Sequence, residues 1–302
     1  MGYQIYFRIS RGGMGIPYEL AKTEFIAVFH RFDLEVKKEL RARHRMCIEL
    51  PLPPDKIAAL AHNLGYTEAI LHQRHEPYHG EVICPVRNER WLVGWIRVGE
   101  WKVYQTEVYV QNKESLLADA PNRRVFEIQQ EGERRFVFGH HAHRAVSALD
   151  ARFLYNIANP QPADAILDPF AGNGGLVIEA KRRGLRIAVS DIDEGLSPGL
   201  SALEPEAYFV ADARCLPLCT NSFDLVVTEP SFRSPYRQAV MDSLTELGRV
   251  LKPKGRLILL IAMDMSHGIQ TSFEKMGANV ELIGVIPRGG GRKCPVLEIT
   301  LL

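Results

Sequence analysis

The sequence predicts an α/β protein in which a mostly parallel sheet, covered by helices on both faces, follows a smaller α+β unit. Three observations predict it. Beyond Ala145, short apolar strands alternate with amphipathic helices, the pattern of strand-helix-strand crossovers. Up to residue 75 the order reads strand, helix, strand, strand, helix, strand. Between the two, aromatic and β-branched segments are broken by charged turns, with no helix beyond one turn near Ser115.

In the first part, residues 3–9 alternate as a strand and 18–32 have helical periodicity. A short strand near 34–36, strands at 45–50 and 67–71 and a helix at 55–63 complete a pattern that resembles a ferredoxin-like unit over 1–75. Residues 76–139 read as a β-rich connector, with strands at 91–98, 101–110 and 124–129, able to serve as an RNA-binding surface. Residues 140–302 form the α/β part. Its helices fall at 146–158, 175–183 and 236–251, and its strands at 165–167, 186–190, 207–210, 225–228 and 257–261. Residues 280–287 and 296–301 flank Gly289-Gly290-Gly291 and predict a terminal antiparallel hairpin.

Charge and cysteine usage narrow the function. With 37 Lys and Arg against 36 Asp and Glu, the chain cannot bind nucleic acid by bulk charge, so such a partner needs a local patch. Residues 31–45 offer one in Arg31, Lys37, Lys38, Arg41, Arg43 and Arg45, with a solvated face as the alternative. The longest apolar run, 257–263, falls far short of the roughly 18 residues a spanning helix needs. Arg8 and Arg11 interrupt any leader-like segment, and a cytoplasmic protein is expected. Cys47, Cys84, Cys215, Cys219 and Cys294 are odd in number and scattered, as free thiols in a reducing compartment would be. Cys215 and Cys219 have no second ligand pair, and His72, His75 and His79 would need a further ligand, so no metal is expected.

The informative stretch is Ala165-Ile166-Leu167-Asp168-Pro169-Phe170-Ala171-Gly172-Asn173-Gly174-Gly175. A buried strand ending in an acid and a glycine-rich turn, next to a helix start, lets a ligand approach the backbone at the carboxyl edge of a sheet. The phosphate-binding Gly-x-x-x-x-Gly-Lys pattern is absent and Asp168 brings negative charge, so a cationic, nucleoside-like ligand fits better. The next strand ends in Asp191-Ile192-Asp193, where an acid can hold both hydroxyls of a ribose. Asp212, with Ala213, follows the strand after that and can accept from the exocyclic amine of an adenine.

These residues carry a resemblance. From about Val146 onward the chain looks like a class I S-adenosylmethionine-dependent methyltransferase with a Rossmann-like sheet, and residues 247–257 resemble that family's helix-turn-strand before the fifth strand. Residues 168–175 together with Ile178-Glu179-Ala180 are most similar to RNA guanosine N2-methyltransferases, especially the tRNA guanosine-10 branch that carries THUMP modules. Residues 147–159 resemble the helix those enzymes place over the methionine part of the cofactor. The first 75 residues are similar to the domain that precedes THUMP in that branch, although 81–138 lacks the helices of a full module. The resemblance implies S-adenosylmethionine as cofactor, held by Asp168, Phe170, Ala171, Gly172, Asn173, Gly174, Asp191, Asp193, Asp212 and Ala213, and RNA, in particular tRNA, as partner.

The target amine would be met by Thr228-Glu229-Pro230-Ser231-Phe232, similar to the acid-or-amide, double-proline, aromatic motif of amino-methyltransferases. An exocyclic base amine is a poor nucleophile, so a side-chain oxygen and a backbone carbonyl must hold its hydrogens and aim its nitrogen. An aromatic ring then stacks on the extruded base. Glu229, Pro230 and Phe232 supply these parts for a direct in-line transfer. Glu229 stands where a shorter Asp, Asn or Ser is usual, and Ser231 replaces the second proline. A DNA amino-methyltransferase and a cofactor-binding protein without turnover are the alternatives. Arg233, Arg237, Arg288 and Arg292, with Lys293, are candidate phosphate contacts, and His140, His141, His143 and Arg144 could meet backbone or cofactor.

Overall fold

The computed structural model of the protein describes residues 1–11, 14–61, 63–73, 80–82, 95–98, 101–104 and 146–302. The chain divides into two compact units, residues 1–120 and 121–302. In the first, β1 (Gly2–Phe7), α1 (Tyr18–Phe29), β4 (Glu35–Leu40), β5 (Arg45–Glu49), α2 (Pro54–Ala61) and β6 (Thr67–Gln73) follow the predicted order. The short β2 (Ser10–Arg11) and β3 (Met14–Gly15) pair as a hairpin after β1, and β8 (Trp95–Val98) and β9 (Trp101–Tyr104) as another. The main sheet is antiparallel in the order β4-β5-β1-β6-β7, where β7 (Gly80–Val82) extends it past residue 75.

Strict alternation on β1 turns Tyr3, Ile5 and Phe7 inward, where Phe7 meets the edge of Phe25 and Phe25 stacks on Phe29 of α1. The helix is shorter than its periodicity suggests. After Phe29 the chain tightens into a 3-10 turn and leaves through Asp33, which is left-handed at φ 51°. The freed residues lengthen β4, so the basic stretch 31–45 runs along an edge strand. Acids interrupt it there: Lys37 pairs with Glu35 and Glu49, and Arg41 with Glu19 and Glu39. Lysines and charges on an edge also protect it from pairing with other chains.

The second unit holds a seven-stranded sheet in the order β12-β11-β10-β13-β14-β16-β15. Its strands are β10 (Ile166–Asp168), β11 (Ile187–Asp191), β12 (Ala207–Val210), β13 (Phe223–Thr228), β14 (Leu251–Leu260), β15 (Asn279–Arg288) and β16 (Arg292–Thr300). The first five are parallel, and β16 runs antiparallel to both of its neighbours. The predicted hairpin is present, turning at Gly289–Gly291 with Gly290 at φ 73°. Its second arm is the one inserted beside β14, which leaves β15 at the edge.

Helices cover both faces, as the near-continuous apolar strands require. On one side α6 (Arg237–Val250) and α7 (Ser266–Lys275) pack Leu244, Leu247, Ile269 and Phe273 against Val226, Leu257 and Leu259. The alternate residues Leu225, Val227, Ile258 and Leu260 are equally buried and face the other way. There α3 (Ala148–Ala158), capped by Ser147 accepting from the Asp150 N–H, packs on α4 (Gly175–Arg182) and reaches β13 and β14. The sequence gives little sign of α7 or of the short α5 (Ser197–Ala202), each of which contains glycine, and α5 also proline. Among the described residues no helix is long and apolar enough to cross a membrane.

Candidate active site

The parallel strands of the second unit all end on one side, and their loops enclose a cavity of about 520 Å³. Asp168, the last residue of β10, lies beneath it. Its carboxylate is 1% exposed and accepts from the Thr228 hydroxyl at 2.6 Å and the Phe170 N–H at 3.2 Å. Burial raises its pKa to about 7; the two hydrogen bonds oppose the rise, and the charges of Asp191 and Glu229 add to it.

The turn after Asp168 is shaped by glycine. Gly174 opens α4 with φ 81°, and a Cβ there would lie 2.3 Å from Leu203 Cδ1. At Gly175 a Cβ would meet the Val146 carbonyl oxygen at 2.4 Å, so glycine is what lets the approach to α3 pass over the start of α4. The Gly172 N–H donates to the Asp191 carboxylate at 2.9 Å, and the Asp193 N–H donates to it at 3.0 Å. A carboxylate has about four acceptor positions, so Asp191 retains capacity for a diol.

The cavity gathers many of the expected residues. Phe170, Gly172, Asp191, Asp212 and Ala213 line it, and so do Glu229, Pro230, Phe232, Arg233 and Arg292. Ala171, Asn173 and Gly174 lie buried within the turn and support it from behind. Asp193 is outside the lining, its carboxylate accepting from the Gly195 N–H at 3.0 Å to cap a 3-10 turn. Asp212 is held by a two-pronged ion pair with Arg214, which lowers its pKa.

Two of the arginines read as phosphate contacts are otherwise engaged. Arg237 is ion-paired with Asp264. Arg288 is drawn inward by two carboxylates, Glu229 at 2.8 Å and Asp150 at 3.0 Å, and is only 16% exposed. Its guanidinium also lies 6.0 Å from the centre of the Phe232 ring. The histidine cluster 140–143, Arg144, His75, His79 and Cys84 lie outside the described residues. The other four cysteines are free thiols.

Sequence reasoning overlooked Ile192 and Tyr236, which both line the cavity and are 62% and 40% exposed. An isoleucine between two acids at a strand tip is a legible signal, since exposed apolar surface there suits the flat face of a base. Tyr236 had no comparable sign, because its position depends on the path of the loop after Pro230.

Residues 167–259 match the family model described as a methyltransferase domain, and that span holds the glycine turn, the strand-end acids and the Glu229 loop. The chain thus carries a stretch similar to a methyltransferase domain. Over 131 residues the chain is 31% identical to a ubiquinone/menaquinone biosynthesis C-methyltransferase of Dinoroseobacter shibae, covering 40% of this chain and 52% of that protein. Over 88 residues it is 38% identical to a tRNA (guanine(10)-N2)-dimethyltransferase of Methanothermobacter thermautotrophicus, covering 27% of this chain and 26% of that protein. The chain thus spans about half and about a quarter of the lengths of these relatives. A solved S-adenosylmethionine-dependent methyltransferase from Methanosarcina mazei superposes with a TM-score of 0.42 at 18% identity, over 48% of this chain and 96% of that one.

The methyl donor of such a domain, S-adenosylmethionine, fits the residues present. The cavity is large enough for a nucleoside with a side arm. Asp168, Asp191 and Glu229 accumulate negative charge that a sulfonium and an ammonium would relieve. Asp191 can take the ribose, while Ile192, Ala211 and Ala213 offer apolar contact to a base. Among the described residues no group of His, Cys, Asp and Glu is placed to hold a metal.

Proposed function

We propose that this protein methylates an exocyclic amine of an RNA base, with guanine N2 of tRNA as the target. The observation that carries the reading is that Glu229, Pro230 and Phe232 line the same cavity as Gly172, Asp191 and Asp212, so an acceptor and a donor pocket adjoin. Arg233, Tyr236 and Arg292 extend the lining with two cations and a further aromatic, a surface suited to a planar base on an anionic backbone. The likeness to a tRNA (guanine(10)-N2)-dimethyltransferase supports the same choice.

S-adenosylmethionine supplies an electrophilic methyl group on a positively charged sulfur. Glu229 and a neighbouring backbone carbonyl hold the hydrogens of the amine, so that its lone pair points at the methyl carbon. Phe232 stacks on the base and fixes its plane. As the nitrogen bonds to the methyl carbon, the carbon–sulfur bond would break and its electron pair would stay on the neutral sulfur; the nitrogen then carries a surplus proton, which Glu229 would take. In this reading Asp168, beneath the donor pocket, balances the donor's charge and Asp191 positions its sugar. The domain expectations, 1–75, 76–139 and 140–302, complete the proposal: the last part performs the chemistry, and the first two present the RNA in the cytoplasm.

A second reading, methylation of a ring carbon, is favoured by the longer stretch of likeness to the C-methyltransferase. The polar mouth formed by Glu229, Arg233 and Arg292 argues for the amine. Incubation with methyl-labelled donor and separate pools of tRNA, rRNA, duplex DNA and quinone-containing lipid extract distinguishes them. Label is expected in tRNA, at guanine N2 by nucleoside mass spectrometry, and Glu229→Ala is expected to lower its incorporation about a hundredfold. Label confined to DNA or to the lipid extract overturns the RNA target. A protein that binds the donor but labels nothing is a non-catalytic one.

A further inference from the structure

Glu229 carries a methylene more than the residue usual at its position, and a longer side chain has more ways to point wrongly. Loss of geometry on the scale of an ångström costs about a hundredfold in rate. Something must hold this carboxylate if it is to aim an amine. Arg288, at the end of β15, donates to Glu229 Oε2 at 2.8 Å and forms an ion pair with Asp150 Oδ2 at 3.0 Å. Asp150 is fully buried in the first turn of α3, and Glu229 is 14% exposed at the side chain. One guanidinium therefore ties the loop after β13 to a helix start and to the hairpin, across 59 residues of sequence from the carboxylate it holds.

We propose that Arg288 is a positioning residue: anchored by Asp150, it fixes the Glu229 carboxylate at the mouth of the cavity beside the Phe232 ring. The inference rests on the amine-methylating reading for its purpose, but its geometry stands on distances alone. One nitrogen of the guanidinium, Nη2, meets both acids, and the planar, delocalised group fixes its direction, which an ammonium on a flexible stem reproduces poorly. Phe232 stands 6.0 Å from the same guanidinium, so the group that orients the acceptor oxygen also faces the ring that would carry the base. The charge count is also suitable. One cation between two carboxylates leaves the cluster net negative, and Glu229 keeps acceptor positions after bonding Arg288.

The test begins without any acceptor. The titratable and charged groups near Glu229, among the described residues, include Arg288, Arg292 and Cys294 of the hairpin, Arg233 of its own loop, Asp150 of α3, Asp168 of β10 and Asp191 of β11. Removal of the guanidinium 2.8 Å from Glu229 takes away its nearest described cation, so its proton is held more tightly. Carboxyl carbon NMR of the full chain, with the Glu229 signal assigned by its loss in Glu229→Gln, is expected to show the Glu229 midpoint moving up by about one pH unit or more in Arg288→Met. Arg288→Lys should restore most of that midpoint. An unmoved midpoint in Arg288→Met overturns the inference, and should that variant fail to fold, Arg288→Gln carries the same comparison.

Transfer to tRNA then provides a second, separate reading. With Arg288→Met we expect kcat to fall tenfold or more while the KM for S-adenosylmethionine stays within about twofold, with the acid limb of the rate profile displaced upward. Arg288→Lys should recover the pH profile but only part of kcat, because its ammonium is not held in a plane between the two acids. An equal loss of donor affinity and of melting temperature, with the pH profile unchanged, would mean that Arg288 is a structural strut and overturns the proposal. A shifted Glu229 midpoint in a protein that labels no nucleic acid leaves the clamp standing and defeats the amine reading instead.

Discussion

Two carboxylates of the second unit, Glu179 and Asp168, are each 1% exposed and yet are driven in opposite directions. Burial alone would raise both. At Glu179, in α4, hydrogen bonds from Arg182 and the charges of Arg183 and Arg152 overrule it and bring the pKa down to about 2. At Asp168 only a hydroxyl and a backbone N–H oppose burial, two further acids reinforce it, and the pKa rises to about 7. The first carboxylate is satisfied by its own chain: Arg182, Arg183 and Arg152 stand 2.5, 2.7 and 3.6 Å away. The second is left with an excess of negative neighbours, as expected where a cationic ligand completes the balance. Charge compensation within the chain marks scaffold, and its deficit beneath an open cavity marks a binding site.

The comparison breaks most visibly at Glu179. Glu179→Gln removes an acid that serves three largely buried arginines, and uncompensated charge of this kind costs about 3–5 kcal/mol. Urea denaturation at neutral pH should show that loss, and a loss under 1 kcal/mol would mean that water compensates the arginines.

The next effect is one of sign. Glu179 has its folded pKa below the unfolded value, so it contributes stability above about pH 4.5 that is lost as the pH falls toward 2. Asp168 has its folded pKa above the unfolded value. The folded protein keeps a proton that the unfolded chain releases, and stability falls as the pH rises from about 4 to about 7, by roughly 4 kcal/mol in all. Asp168→Asn should abolish that decline in a series of denaturation curves. It should also weaken S-adenosylmethionine more than its neutral-sulfur product, as calorimetry of both ligands would reveal; equal losses would show that Asp168 does not sense the ligand's charge.

The smallest effect is expected at the rim. Arg214 pairs with Asp212 in the open, where ion pairs contribute little. Arg214→Ala should leave the melting temperature unchanged and alter donor affinity by no more than about threefold. A larger loss would assign Arg214 itself to the adenine end of the cavity.

How far the sequence anticipates this molecule follows from the range over which each feature is written. The glycine turn, Asp191 and Asp212 are legible because strand, turn and helix are consecutive, and the strand ends of a parallel sheet converge by topology alone. The parallel sheet and its covered faces follow from the same alternation, whereas the strand order is set by the path of the crossovers. The clamp of Asp150, Glu229 and Arg288 is written in no local pattern, since its members come from a helix start, a strand end and a hairpin. Arg288 reads as an outward-facing cation beside a glycine turn until the fold shows two acids drawing it in. Glu179 likewise stands in a recognisable short motif, but nothing nearby in sequence announces Arg152, one helix earlier, as its partner. The short α5 and α7 escape notice because glycine and polar residues dilute their periodicity, and tertiary packing supplies what propensity does not.

The placement of β16 between β14 and β15 has a consequence for biosynthesis. As the nascent chain emerges, the glycine bend and all three strand-tip acids are made well before the hairpin, and β14 waits with an unpaired margin until β16 slides in beside it. Arg288 and Arg292 sit at that hairpin's bend, so they arrive in the step that closes the margin. A polypeptide made only as far as β14 thus lacks Arg288 and the ion pair it forms with Glu229, so that contact is written last although its carboxylate is written early.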